Sequence, residues 1–487
     1  MASISSSTST PTLSSLGVGS GLDAETIVNK LVALEQQPLE KLKTQASTIQ
    51  SKISAFGKIQ SAVSSLRDAA SKLTSPDLWA STVATSADSS VAFTTSTGAT
   101  PGNYNVSVSS LAAGQSVLSN TVLTSPSSTL GAGTLTFEVG SWSGAAFTGK
   151  TGATAVNVTI DAADSLEAIR DKINSANAGV KATIINDASG ARLVMNSAST
   201  GLTNGFRVTV SDSDGVNDDA SGLSALSFTD PTATGGPTTQ TQAASNAAAK
   251  INGVDISSET NTFSNVLTGI TVNVSKITAA PVAVTISQDN DTITKAITDF
   301  ATAYSSLDAV LKSNTKYDES TKKGAILQGD GTALNLINQF RSLLASNTSV
   351  SSVFTTLSSV GLETQSGGAL NVNSTKLKSA LGNLAEMKKL FATTDLTGGG
   401  ADGMATKFRK LADTLLGIEG ALTTRTAGLN TAVNNNQKRQ DAMETRSALY
   451  EKRLRAQYTA LDKAMASIST QSGYVTQMIN SMNKSSS

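Results

Sequence analysis

A long heptad repeat near the carboxyl end of the chain restricts the fold more than any other feature. Inward-type residues follow one another at alternating steps of four and three: Leu429, Val433, Asn436, Gln440, Met443, Ser447, Tyr450, Leu454, Gln457, Leu461, Ala464, Ile468, Gln471, Val475, Met478 and Met482. This spacing puts them on one face of a helix, and such a face needs a partner helix. Five of the sixteen positions are Asn, Gln or Ser, which predicts weak pairing in a defined register.

The length of the predicted helix sets a condition on its stability. Residues 429–482 span roughly 80 Å at about 1.5 Å per residue. A rod of that length with polar layers in its seam buries little apolar surface alone, so we predict that it becomes ordered only on assembly. This pattern indicates a protein that works by assembling rather than by catalysing.

The composition excludes several classes of enzyme. The 487 residues include neither Cys nor His, which rules out disulfides, thiolate nucleophiles and imidazole bases and removes the usual ligands of zinc. Carboxylate chemistry stays possible, and a glycosidase in residues 80–290 is one alternative. No pair of carboxylates stands in an obviously apolar setting, however. We therefore predict no enzymatic activity, no cofactor and no metal site.

Charge is unevenly distributed in a chain whose formal net charge is zero. Residues 404–487 carry a net charge of +6, and residues 80–245 a net charge of −6. Basic residues on the heptad helix, such as Arg446 and Arg453, could contact nucleic acid. Acidic residues are interleaved with them and aromatic residues make up only 4% of the chain. We therefore favour the solvated flank of a coiled coil and predict no nucleic-acid partner.

Neither a membrane span nor a cleaved secretory signal is predicted. No apolar run reaches the ~18–20 residues that a span requires. Residues 1–20 contain eleven Ser or Thr, no Lys or Arg and no apolar core, unlike a signal peptide. Composition leaves open both a cytoplasmic location and export by another route.

The amino-terminal segment also predicts helices. Asp23 is placed to cap a helix, with Leu22 and Ile27 forming a hydrophobic staple. The apolar stripe of Ile27, Leu31 and Leu34 should continue until Pro38 breaks or kinks the helix. A second helix is predicted over residues 42–73, with Pro76 ending it.

From about residue 80 the apolar period changes to two, which predicts half-buried antiparallel strands. The strands centre on Val106, Phe137, Val158, Val208, Val272 and Val284. A helix with Leu166, Ile169 and Ile173 on one face, capped by Asp164 or Ser165, interrupts them. Residues 231–249 and 398–400 resemble joints, and helical periodicity returns at Ile293. The predicted fold class is α+β: a helical coiled-coil stalk formed by the amino- and carboxyl-terminal segments, with inserted antiparallel β-rich head domains.

Two short motifs invite functional interpretations that we do not favour. Residues 17–21 are glycine-rich and precede a helix, but they lack the lysine and the preceding strand of a phosphate loop. Residues 212–219 are rich in Asp. Their glycine comes too early for an EF-hand loop and no distal Glu follows, so a solvated turn is the better interpretation.

Several segments, in order, resemble one family. Leu16-Gly17-Val18-Gly19-Ser20-Gly21-Leu22-Asp23 is similar to the amino-terminal signature of the flagellar hook-associated protein 2 family, the filament cap proteins. Further similar segments are Pro101-Gly102-Asn103-Tyr104, Ile251-Asn252-Gly253-Val254, Leu327-Gln328-Gly329-Asp330 and Tyr450-Glu451-Lys452-Arg453-Leu454. Residues 133–197, with Ile173-Asn174, resemble a repeat module shared by flagellins and cap proteins.

The resemblance implies a structural cap at the distal end of the bacterial flagellar filament. Such a cap promotes polymerisation of flagellin and prevents loss of exported flagellin monomers. It implies a ring-shaped homo-oligomer, a pentamer or hexamer, that contacts flagellin, hook–filament junction proteins and a cytoplasmic export chaperone. It also implies secretion by the flagellar type III apparatus without a cleaved signal peptide. A junction protein, a flagellin-like filament component and a surface adhesin are the alternatives.

Four parts of the chain follow from these patterns. Residues 1–41 with 430–487 form a terminal coiled-coil leg that is disordered in the monomer, and residues 42–80 with 289–429 form a helical bundle. Residues 81–125 with 246–288 form one β-rich head domain, and residues 126–245 a second that holds the repeat module.

The seam is the predicted interface with other subunits. Its predicted contact residues are Ile27, Leu31, Leu34, Leu429, Val433, Asn436, Gln440, Met443, Tyr450, Leu454, Gln457, Leu461, Ile468, Gln471, Val475 and Met478. We hypothesise that the amide layers at Asn436, Gln440, Gln457 and Gln471 let the legs grip the filament lumen reversibly.

Overall fold

Within the described residues, long helices come first and last and antiparallel sheets lie between them in sequence, which confirms the predicted α+β class. The structure, a computed structural model, describes residues 23–213, 215–396 and 401–484. It separates into two units: the helical unit, residues 1–75 with 294–487, and the β-rich unit, residues 76–293. The predicted division into four parts stays a prediction.

The helices, in chain order, are α1 (Ala24–Thr74), α2 (Pro76–Trp79), α3 (Leu166–Ser175), α4 (Asn290–Thr315), α5 (Gly331–Leu344), α6 (Ser374–Ala380), α7 (Leu384–Ala392), α8 (Met404–Leu416) and α9 (Ala421–Lys484). The first half of the strands are β1 (Thr82–Ser86), β2 (Val91–Thr95), β3 (Gly102–Ser110), β4 (Ser116–Ser119), β5 (Gly133–Ser143), β6 (Ala146–Gly149), β7 (Val156–Ile160), β8 (Val180–Asp187), β9 (Gly190–Ser197) and β10 (Gly205–Asp212). The remaining strands are β11 (Thr238–Gln242), β12 (Ala247–Ile251), β13 (Val254–Ser258), β14 (Thr262–Leu267), β15 (Ile270–Val274), β16 (Val282–Gln288), β17 (Tyr317–Asp318), β18 (Lys323–Gly324), β19 (Leu362–Thr364) and β20 (Leu370–Val372).

Helix α1 runs without interruption through Pro38, so the prediction of a separate second helix is wrong. Proline removes one backbone donor and frees the carbonyl four residues earlier, which is that of Leu34. Pro38 and Leu34 both lie on the exposed side of the helix, where water can satisfy that carbonyl. The buried residues Val32 and Leu39 hold the helix on either side of the proline.

Both predicted ends of α1 are confirmed. The Asp23 carboxylate accepts a hydrogen bond from the Thr26 N–H at 3.1 Å and caps the first turn. Ser75 is extended, as expected for a residue before proline, and Pro76 begins α2. The predicted staple residue Leu22, the glycine-rich residues 17–21 and the joint at 398–400 lie outside the described residues.

The core of the helical unit is built around Phe408 of α8. Its ring packs edge-on against Phe300 at 5.2 Å and Tyr304 at 6.0 Å between ring centroids, and it stacks on Phe340 at 6.3 Å. All four residues are buried. Because α4, α5 and α8 each contribute a ring, this cluster joins segments that are far apart in the sequence.

An ion pair between a buried carboxylate and a partly exposed arginine joins the start of α5 to α9. Asp330 caps α5 by accepting hydrogen bonds from the N–H groups of Thr332 and Ala333. Its other carboxylate oxygen accepts a hydrogen bond from Arg425 of α9 at 2.6 Å. The Gln-Gly-Asp turn recognised in the sequence is therefore a helix cap and an ion-pair partner.

The β-rich unit contains two hydrophobic cores. One lies on a five-stranded sheet of order β1-β16-β3-β12-β13 and a three-stranded sheet of order β14-β15-β2. The other lies among α3, a sheet of order β10-β5-β6 with β7 also on β5, and a sheet of order β11-β4-β9-β8. Each predicted alternating segment forms a strand, and Ser165 rather than Asp164 caps α3 by accepting from the Ala168 N–H.

Residues 231–249, predicted as a linker or loop, contain β11 and the start of β12, so that prediction is wrong in part. β11 reads Thr-Thr-Gln-Thr-Gln and lies at the edge of its sheet with a bulge. It lacks the apolar alternation from which a strand can be recognised.

Three side-chain amides in this unit take the place of a neighbouring strand. Each accepts a hydrogen bond from the N–H of one residue and donates to the C=O of that same residue. Gln115 does this with Phe206, Asn174 with Ala182 and Asn261 with Ala112. The distances are 2.8–3.1 Å. A carboxamide can do this because it carries both a donor and an acceptor.

Replacing Gln115 by glutamate should destabilise the β-rich unit, because Gln115 is buried and a carboxylate cannot donate to the Phe206 carbonyl. We expect a loss of about 2–4 kcal/mol in the free energy of unfolding at pH 7, measured by denaturant titration with circular dichroism. Only the neutral acid can donate, so burial should raise the pKa of this group in the folded state. The deficit should therefore shrink at acidic pH and grow as pH rises. Gln242→Glu, at an exposed position, is the control, and equal losses in both variants would contradict the argument.

Candidate helical interface in the leg

The start of α1 pairs with α9 through a small apolar cluster. Val28, Val32 and Leu454 are buried together, and Leu31, Tyr450 and Tyr458 pack against them. We call residues 23–41 of α1 and 430–484 of α9 the leg. This cluster is small beside the core of the helical unit, so the leg is held by less buried apolar surface than the rest of that unit.

Ion pairs join the two helices on either side of this cluster. The Arg446 guanidinium lies 2.8 Å from the Glu35 carboxylate. Arg455 donates three hydrogen bonds to Glu25 at 3.0–3.1 Å through both terminal nitrogens, and its Nε donates to Glu451 of its own helix at 2.8 Å. The hydrogen bond from Arg455 lowers the pKa of the Glu25 carboxyl. The hydrogen bonds to Glu25 and then to Glu451 raise the pKa of the Arg455 guanidinium.

Amide side chains form a polar layer farther along the seam. Asn436, Gln440 and Ser447 are buried, and the Gln440 amide donates to the Asn436 carbonyl oxygen at 2.6 Å. Leu429 is buried beside them, and Val433, Met443 and Tyr450 are half-buried. The first eight positions of the predicted seam, residues 429–454, therefore face their own chain.

The second half of the seam is exposed. Gln457, Leu461, Ala464, Ile468, Gln471, Val475, Met478 and Met482 are all exposed to solvent. Ile468 is 59% exposed, Val475 56% and Met478 63%. Within the described part of the chain α1 begins at Ala24, opposite Leu454 and Arg455, so its pairing with α9 ends near Tyr458. We call Leu461, Ile468, Val475, Met478 and Met482 the exposed seam.

Two adjacent faces of α1 carry apolar residues, and the face predicted from the sequence to be the more buried is the more exposed one. Ile27 and Leu31 are half-buried and Leu34 is 61% exposed, whereas Val28 and Val32 lie in the cluster. Ile27-Val28 and Leu31-Val32 both follow the helical period, so periodicity alone cannot separate the two faces. Contact of Ile27, Leu31 and Leu34 with another subunit stays a prediction.

Two further findings concern alternative kinds of site. Among residues 23–213, 215–396 and 401–484, no group of three or more acidic side chains could hold a metal ion. Asp212 is the last residue of β10, and its carboxylate accepts hydrogen bonds from the N–H and the hydroxyl of Ser224. Asp214 lies outside the described residues. None of the helices described in the structure is long and apolar enough to cross a membrane.

Comparisons with known proteins give the family. Residues 20–115 match the description "Flagellar hook-associated protein 2 N-terminus", and residues 244–470 match "Flagellar hook-associated protein 2 C-terminus". Residues 146–199 match "Flagellin hook IN motif". They run from β6 to β9 and contribute to the hydrophobic core around α3, which we call the second head core.

Relatives match over nearly the full length. Flagellar hook-associated protein 2 of Escherichia coli K12 is 33% identical, over 97% of this chain and 99% of the relative. The B-type protein of Pseudomonas aeruginosa is 30% identical over 92% and 93%. The crystal structure of the D1-D2-D3 domains of the Escherichia coli flagellar cap protein aligns with a TM-score of 0.59 at 30% identity, covering 77% of this chain and 99% of that one.

The chain combines a helical leg with a β-rich head, and the solved structure that shares this fold is a flagellar cap protein. The fold therefore places the chain in the class of flagellar cap proteins. The chain belongs to the flagellar hook-associated protein 2 family. This is a structural family of the filament tip, and the alternatives of a junction protein, a flagellin and an adhesin are not favoured.

Replacing Leu454 by alanine should open the leg, because it removes the α9 member of the buried cluster. We expect the free energy of local opening to fall by about 2 kcal/mol, which corresponds to roughly 30-fold faster hydrogen exchange in residues 24–35. Leu449 is 64% exposed on the same helix, and Leu449→Ala is the matched control. Similar acceleration in the two variants would show that the cluster does not hold the leg.

Acid should weaken the leg through Glu25. Its pKa is lower in the folded state than its usual value, so the ion pair contributes at neutral pH, above the unfolded pKa. That contribution is lost as pH falls through the folded pKa. We expect the opening of residues 24–32, from exchange rates corrected for intrinsic pH dependence, to increase below about pH 4.5. Glu25→Gln should be open already at pH 7 and change less; an identical pH profile in both proteins would refute this role.

Proposed function

We propose that this protein caps the distal end of the bacterial flagellar filament, where it promotes flagellin polymerisation and prevents loss of exported flagellin. Family membership supports the cap role, and the exposed seam of α9 is the observation that carries the mechanism. The leg would use this seam to bind helices of other subunits, and the β-rich unit would form the head.

The exposed seam repeats the spacing of the buried half of the same helix. Residues 429–454 of that repeat already pair with a helix, so residues 461–482 have the geometry of a helix-pairing surface. They span roughly 32 Å. Covering such a row of apolar side chains with a second helix removes them from water, which is favourable. We propose that this second helix comes from another subunit at the filament tip.

The amide residues divide between two roles. Asn436 and Gln440 are buried against their own chain, so in this conformation they do not reach the filament lumen. Gln457 and Gln471 are exposed to solvent in the second half of the seam. Amides in a seam lower the stability of pairing while keeping its register. We propose that these two keep the grip of the leg reversible, which a cap needs if it advances as each flagellin is added.

The finer assignments are also proposals. We propose a ring of five or six copies, contact with hook–filament junction proteins, and binding of a cytoplasmic export chaperone before secretion. We propose secretion by the flagellar type III apparatus without a cleaved signal peptide, which is compatible with a chain that has no Cys. Order in the leg only after assembly stays part of this proposal.

Replacing Leu461, Ile468, Val475 and Met478 together by glutamine should abolish capping while the head stays folded. Cells carrying this variant should release flagellin into the medium and grow filaments at less than a tenth of the usual length, measured by immunoblotting and electron microscopy. The matched control is glutamine at Tyr474 and Ile479, which are 68% and 53% exposed but lie off the repeat.

The amount of cap protein in the medium separates export from capping. Normal secretion with lost capping supports the proposed role of the seam. Filaments of normal length, or equal defects in the variant and its control, would refute it.

A further inference from the structure

Two strands of the β-rich unit present unusually long sheet edges. Among the described strands at sheet edges, β8 and β10 have eight residues each, whereas the others have six or fewer. An edge strand exposes a row of backbone donors and acceptors, and this row can pair with a strand of another chain. A longer edge offers more such pairs, so these two strands carry the greatest risk of unwanted pairing.

The edge of β10 is closed at two successive outward positions. Phe206 is bound at both backbone groups by the Gln115 amide, at 3.1 and 2.8 Å. Val208 exchanges two backbone hydrogen bonds with Phe228, at 2.9 and 2.8 Å. Phe206, Val208 and Phe228 are all buried, so no strand can reach this part of the edge.

The edge of β8 is closed at Ala182 by the amide of Asn174. Both hydrogen bonds measure 2.9 Å. Asn174 lies in the last turns of α3, directly after Ile173, which is fully buried in the second head core. The Lys181 amine donates to the Asn174 backbone carbonyl at 3.2 Å. Asn174 is therefore held against the edge by its own helix and by β8 itself.

Alternation along an antiparallel strand shows what Asn174 protects. Ala182 is paired with Met195 of β9, yet its backbone groups point outward to Asn174. The next outward groups then belong to Ile184 and Asn186. Ile185 is 50% exposed beside them. Val180, on the other side of Ala182, is buried. With Asn174 in place the open edge therefore covers only Ile184 and Asn186, which is too short for a stable added strand.

We propose that Asn174 closes the edge of β8 against the β8 strand of a second copy and so keeps the heads from joining edge to edge. An antiparallel edge can pair with itself across a two-fold axis, so every copy carries a complementary partner. The proposal rests on the fold of the β-rich unit and stands or falls independently of the cap function.

The test compares two alanine variants of the full-length chain. Asn174→Ala and Asn261→Ala lose the same pair of hydrogen bonds at half-buried sites, but the partner of Asn261, Ala112, lies outside the named strands. Both variants should melt a few degrees below the unmodified chain. Only Asn174→Ala should at least double its mass by light scattering as concentration rises, with increased thioflavin T fluorescence.

Two further variants keep the test decisive. Adding Ile185→Lys to Asn174→Ala should reverse the gain in mass, because a lysine on an edge opposes strand addition. Asn174→Asp retains the bulk and the acceptor, loses the donor, and should show a smaller gain. Equal gains for Asn174→Ala and Asn261→Ala, no gain in either, or no reversal by lysine would overturn the proposal.

Discussion

The structure of the helical unit depends on the packing of α1 against α8 and α9, which joins the first and last long helices of the described residues. The carboxyl-terminal part of α1 supplies a fully buried stripe that includes Phe56, Ile59, Val63 and Leu66. Burying such a stripe stabilises helices that would otherwise be marginal in water. Of the residues between α1 and α9 in sequence, only residues 76–293 form a separate unit, and this unit has its own hydrophobic cores.

The strength of this packing falls along the two helices. Toward the end of α1 the contacts are aromatic and aliphatic, and Arg425 of α9 also lies over the Phe56 ring at 5.9 Å. In the leg they reduce to five buried apolar residues, a layer of amides and exposed ion pairs; the five are Ala24, Val28, Val32, Leu39 and Leu454. Exposed ion pairs contribute little to stability. We expect the leg to open more easily than its base, as the proposed reversible grip requires.

The β-rich unit solves a different problem, the supply of partners for backbone groups that no strand reaches. Gln115, Asn174 and Asn261 each satisfy one residue with a side-chain amide. An unpaired buried backbone group costs about 1–3 kcal/mol, so these amides stabilise the fold, and Gln115 and Asn174 also close edges of its sheets. Their role is invisible to hydrophobic pattern, since Asn and Gln are usually typical of loops or surfaces.

The sequence by itself determined the class of elements and their order. Heptad spacing from Leu429 to Met482, alternation around residues such as Val106 and Val208, and the cap at Asp23 all report local geometry, which is periodic and therefore readable. The family signature was readable for the same reason, because short motifs keep their spacing.

Only the tertiary structure decided which half of the seam is covered, that α1 passes through Pro38, and that β11 is a strand. It also placed Val28 rather than Ile27 against Leu454 and gave Asn174 its partner on β8. Each of these depends on where a distant segment begins or ends. Burial and hydrogen-bond pairing arise from contacts between segments. The periodicity of one segment cannot predict where the segment that packs against it begins or ends.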